Sequence, residues 1–94
     1  MVSVVLDSPV HVKLRGHANS KAGDGRVCAA VSVLCYALCQ RLEQLSVPYK
    51  ARLEPGDAEI FSRDTEQARG AFAVLVCGME LLARQEPDCV QFTD

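Results

Sequence analysis

The chain has 94 residues, ten of them Lys or Arg and twelve Asp or Glu, and a formal net charge of −2. That balance, with two Tyr, three Phe and no Trp, argues against bulk affinity for nucleic acid and against a base-stacking platform. No stretch approaches the roughly 18 consecutive apolar residues of a membrane span, and a length of 94 fits one domain, residues 1–94, with a core small enough for dimerisation to be a plausible support.

The first residues lack the basic run that opens an export signal. Cysteines stand at 28, 35, 39, 77 and 89, with no C-x-x-C spacing. An odd count without an export signal reads as reduced thiols in the cytoplasm rather than a disulfide framework.

Val2, Val4 and Leu6 alternate with Ser3, Val5 and Asp7, the period of a strand. Asp7-Ser8-Pro9 is turn chemistry. Val10, Val12 and Leu14 then alternate with His11, Lys13 and Arg15, so the return strand of a hairpin has one apolar and one basic face. His11 is expected to be a solvated surface residue on that basic face.

Gly16 ends the strand where the chain bends. Residues 18–27 have no apolar face and no regular period, and at ten positions the segment is longer than most connections in a compact domain, a length often tied to function. Asn19, Ser20, Lys21, Gly23, Gly25 and Arg26 are its candidate substrate-contacting positions. It is expected to be open in the absence of substrate and to close over it. Asp24 is placed either to cap the coming helix or to orient a nearby imidazole.

From Val27 onward Val31, Leu34, Leu38, Leu42 and Leu45 trace one helical stripe, ending near Ser46 ahead of Pro48. A second row holds Cys28, Ser32, Cys35 and Cys39. Ser32 lies one turn beyond Cys28, where its hydroxyl can support the thiol or bond a carbonyl of the preceding turn. Cys35 and Cys39 read as small apolar residues of a helix interface rather than a metal pair, and no metal or other cofactor is implied.

Tyr49, Ala51 and Leu53 alternate with Lys50, Arg52 and Glu54. Pro55-Gly56 supplies a turn, and Ala58 and Ile60 continue the alternation, giving a second hairpin. Asp64 followed by Gln67 resembles a capping box. Ala68, Phe72, Leu75, Val76, Met79, Leu82 and Ala83 mark a second amphipathic helix, bounded by Pro87, and residues 89–93 a last short strand. Cys77 and Cys89 are expected in or near the core. The predicted fold is α+β: a two-layer arrangement of a mainly antiparallel sheet with two helices, in the order ββαββαβ.

Two residues stand out for chemistry. Cys28 falls at a helix start, beside backbone N–H groups outside the helical ladder and at the positive end of the macrodipole, both of which favour a thiolate. His17 falls at the strand exit, where an imidazole can fold back over that thiol. Together they are the minimum for cysteine-based acyl transfer. His17 would act as general base, and the backbone N–H groups of Cys28 and Ala29 are the candidate oxyanion hole. The competing reading is a non-catalytic protein-binding module in which Cys28 is structural.

G-H-A at 16–18, a Gly/Asp loop, and V-C-A-A-V-S-V-L at 27–34 resemble the ribosomal-processing cysteine protease family (Prp). The sequence departs from that family at Gly25, where an Asp usually precedes the cysteine by three residues; Asp24 lies one position earlier. The resemblance implies Cys28 as nucleophile and His17 as base. It also implies a homodimer, and a substrate that is a large-subunit ribosomal protein whose short N-terminal extension is removed after paired aromatic residues.

Overall fold

The computed structural model describes residues 1–16 and 25–93. Its elements run β1 (Val2–Ser8), β2 (His11–Arg15), α1 (Arg26–Gln44), β3 (Tyr49–Glu54), β4 (Asp57–Ser62), α2 (Glu66–Gln85) and β5 (Val90–Phe92). The order is the predicted ββαββαβ, and the class is α+β.

Both expected hairpins form, and the sheet order is β3-β4-β2-β1-β5. The neighbours β1–β2, β2–β4 and β3–β4 are antiparallel, while β5 lies parallel to β1. The pairings of β2 with β4 and of β1 with β5 join residues far apart in sequence, which periodicity along one strand does not reveal. The register sets Val4 against Leu14 and Val12 against Ile60. These four side chains are buried and share one core cluster with Leu38, Leu42, Phe72, Leu75 and Met79 from the two helices. Hydrophobic burial of one sheet side under both helices is therefore the main stabilising contact.

The other side of the sheet is a charge ladder. Lys13 pairs with Asp7 at 2.8 Å, His11 Nε2 with Glu59 at 2.6 Å, and Arg52 with Asp57 and Glu59. His11 is thus half-buried against Glu59 and the tilted ring of Phe61, not the solvated residue expected from its strand face alone. Cross-strand neighbours of opposite charge are what makes this side compatible with water.

α1 closes with Ser46 at φ 57, its N–H on the Glu43 carbonyl and that of buried Val47 on Leu42 at 3.0 Å. This is a Schellman-type end that satisfies the last carbonyls. At the start of α2 the N-cap is Thr65, whose hydroxyl accepts from the Ala68 N–H at 3.0 Å. The Asp64–Gln67 capping box is therefore corrected by one residue. Asp64 instead forms a two-bond pair with Arg69, at 2.6 and 2.7 Å. The two helices meet closely at Gly78, where an added Cβ would lie 2.7 Å from a Leu34 methyl. Cys89 is buried as expected just before β5, but Cys77 is exposed, because the α2 stripe turns its neighbours Val76 and Met79 inward and leaves 77 outside. No helix among the described residues is long and apolar enough to cross a membrane.

Candidate active site

The site lies where the end of β2, the start of α1 and the β3–β4 turn converge. Gly16 has φ 102, outside the range open to residues with a side chain, and its N–H donates to the Gly56 carbonyl at 2.9 Å. That bond ties the strand exit to the tip of the second hairpin. Gly56 has φ 74 after Pro55, as a tight Pro-Gly turn requires.

Across from this corner α1 begins. Gly25 is the N-cap and offers no side chain of its own, and Arg26 opens the helix at the surface. Cys28 is the third helical residue and is half-buried. The ladder starts with the Ala29 N–H donating to the Gly25 carbonyl at 2.8 Å. This corrects the expected oxyanion pair at Ala29, whose N–H is engaged in the helical ladder.

Beside Cys28 is a cleft of about 350 Å³. Its apolar lining includes Val2, Leu14, Val31, Cys35 and Ala58. Ser32 and Tyr36 continue the Cys28 row along α1 at helical spacing, and both are exposed and line the cleft. Ser32 is thus on the same wall as Cys28, as the i, i+4 spacing predicted. Tyr36, at i+8, follows from the same spacing but is not singled out by sequence reasoning. The opposite wall is the hairpin tip, from Glu54 to Asp57. Its Pro-Gly pair signals a turn in sequence, yet nothing local says that the turn will face Cys28.

His17, Asn19, Ser20, Lys21, Gly23 and Asp24, together with the expected closure of their loop, lie outside the described residues. Among the described residues no group of His, Cys, Asp or Glu is arranged to hold a metal. Cys35 and Cys39 are buried as the small-residue reading predicted. Burial, with Cys39 nearby, pushes the Cys35 thiol up to about 11, and burial raises Cys39 as well. A thiol titrating near 11 is about one part in a thousand thiolate at pH 8. Iodoacetamide at pH 8 is therefore expected to leave Cys35 unmodified in the folded protein, with labelling rising only above about pH 10. Peptide mapping by mass spectrometry checks this, and rapid Cys35 labelling at pH 7 would contradict it.

The family model described as cysteine protease Prp matches residues 1–91. No curated protein matches the sequence. Among solved structures, the S. aureus ribosomal processing protease Prp with a covalently linked product peptide superposes with a TM-score of 0.81 at 17% identity, covering 98% of this chain and 95% of that one. The same S. aureus protease with a substrate peptide gives 0.80 at 16% identity, with the same coverage. SMU.848 from Streptococcus mutans gives 0.72 at 25% identity, covering 98% of this chain and 93% of that one.

Proposed function

The chain belongs to the cysteine protease Prp family, and from that premise we propose that it removes the N-terminal extension of a large-subunit ribosomal protein, with Cys28 as nucleophile and His17 as general base. The observation that carries this reading is the placement of Cys28 in the first turn of α1, at the head of a largely apolar cleft. A cysteine held there meets the helix dipole and leaves room for a peptide along Ser32 and Tyr36.

In the proposed reaction His17 takes the Cys28 proton as sulfur adds to the scissile carbonyl carbon. The resulting oxyanion faces the first turn of α1, with the Cys28 N–H as its candidate donor. One such donor is worth roughly 3–4 kcal/mol. The C–N bond then breaks, His17 returns the proton to the leaving amine, and a thioester remains. Water, deprotonated by His17, hydrolyses the thioester and restores the thiol. Ser32 supports the thiol side, and Asp24 is retained as the residue that orients His17. Asn19, Ser20, Lys21, Gly23, Gly25 and Arg26 form the substrate-facing loop in this reading.

The reaction is placed in the cytoplasm, where ribosomal proteins are made and matured, and the active form is a homodimer. Support for a second copy comes from the outer side of the helix layer. Residues 27–40 and 70–79 contain no charged side chain, and Val33 and Val74 are 65% and 68% exposed there. An uncharged face on so small a protein suits a self-complementary two-fold contact.

The test is direct. A synthetic peptide spanning such an extension and the first residues of the mature ribosomal protein is incubated with the chain and analysed by mass. A single cut after the paired aromatic residues is expected. An intact peptide, with no cut at any position, would return the chain to the binding-module reading.

A further inference from the structure

The cleft has two unlike walls. On α1 it is bounded beyond Cys28 by the hydroxyl-bearing Ser32 and Tyr36, whereas the hairpin tip opposite contributes Glu54 and Asp57. No Lys or Arg lines the cleft among the described residues.

Glu54 and Asp57 are direct cross-strand partners on the last rung of β3–β4. Two carboxylates facing each other there destabilise the hairpin. One guanidinium offsets part of this. Arg52 donates to Asp57, reaches Glu59 at 3.4 Å, and approaches Glu54 only to 3.9 Å. Arg15, the register partner of Asp57 on β2, adds its field. Asp57 still holds a buried oxygen, Oδ1, that no donor among the described residues meets. The Glu54 side chain is 63% exposed. Glu54 is therefore the exposed carboxylate of this rung, approached by Arg52 only to 3.9 Å, and it lines the cleft.

We propose that Glu54 determines specificity by selecting a Lys or Arg side chain on the bound peptide, next to an apolar side chain seated over Leu14, Val31 and Ala58. This rests on the peptidase reading above. It gives a role to an acid at a position where the facing Asp57 carboxylate disfavours one.

The probes are acetylated octapeptides with two adjacent Phe residues and one Lys, Gln or Glu placed in turn at each remaining position. Binding is read by fluorescence anisotropy on the Cys28→Ala protein, and cleavage by mass on the unmodified one. At one position Lys is expected to bind about two- to five-fold more tightly than Gln, the range of an exposed ion pair, and the gap is expected to shrink as NaCl is added. Adding Glu54→Gln should erase that preference and Glu54→Lys should reverse it. Neither change should lower the melting temperature, because each relieves the carboxylate pair. A Lys preference that survives Glu54→Gln, or no position that separates Lys from Glu, overturns the inference. Cleavage without any charge preference would sink it and leave the peptidase reading standing, while Glu54-dependent binding without cleavage would do the opposite.

Discussion

Cys28→Ala is expected to abolish peptide cleavage, a loss on the order of 10⁴-fold or more, because removing the attacking atom removes the covalent route itself. The fold should survive. Cys28 is half-buried at the cleft head, so the change deletes one sulfur from a site that already opens to solvent. The control is Cys35→Ala, further along the same helix. Its side chain is only 3% exposed, so this variant should lose more stability than Cys28→Ala, yet it should still cleave, because it deletes an atom of the cleft wall and not the attacking sulfur. Thermal melts and peptide mass analysis on the two variants separate nucleophile from packing residue. Cleavage at the original rate by Cys28→Ala, with cleavage lost in Cys35→Ala, would reject the assignment. His17→Ala is expected to match Cys28→Ala in activity, since a thiol without its base attacks slowly at neutral pH.

The two walls of this site differ in how far the sequence shows them. Cys28 is legible because helix starts and apolar stripes are local signals: spacing alone places it in the first turn with Ser32 one turn on. The hairpins are legible for the same reason, through alternation and the Pro55-Gly56 turn. What no local signal carries is the joining of the hairpins. The rung that sets Arg15 beside Asp57, and the Gly16–Gly56 hydrogen bond, bring into contact residues that lie far apart along the chain. The opposite wall of the cleft, Glu54 to Asp57, is a product of that pairing and becomes visible only with the sheet order. The shifted α2 cap has a smaller cause. Asp64 and Thr65 are adjacent cap-forming residues, and Arg69 decides between them by engaging the Asp64 carboxylate, leaving Thr65 to the helix. His11 departs from expectation because its partner Glu59 lies on a strand that sequence order does not place beside it.

Gly16→Ala should be the most damaging single change to the framework of the site. The backbone at Gly16 has φ 102, and a Cβ built there would lie 2.0 Å from the Met1 carbonyl oxygen. The obstacle is main chain of the first residue, held next to Val2, whose N–H bonds the Cys89 carbonyl at 2.7 Å. It has no side-chain rotamer with which to yield. Accommodating a methyl group requires the start of β1 to move or Gly16 to leave its conformation, which would break the Gly16–Gly56 hydrogen bond. Left-handed strain alone costs about 1–2 kcal/mol for a residue with a side chain, and the clash adds to it. For a domain of this size each kcal/mol lowers the melting temperature by about 4–8 °C, so a fall of about 10 °C or more is expected. Activity should fall further than stability at temperatures where the variant remains folded, because the next residue in the chain is His17. Gly25→Ala is the matched comparison at the other end of the loop. Its φ is −76 and nothing among the described residues lies within 4 Å of an added Cβ, so its melting temperature should stay within a few degrees of the original, by about 4 °C at most. Differential scanning calorimetry on both variants, with cleavage assayed well below each transition, gives the reading. If Gly16→Ala melts with the unmodified chain, the close approach of β1 to the end of β2 does not hold in solution, and the corner at Gly16 is not built this way.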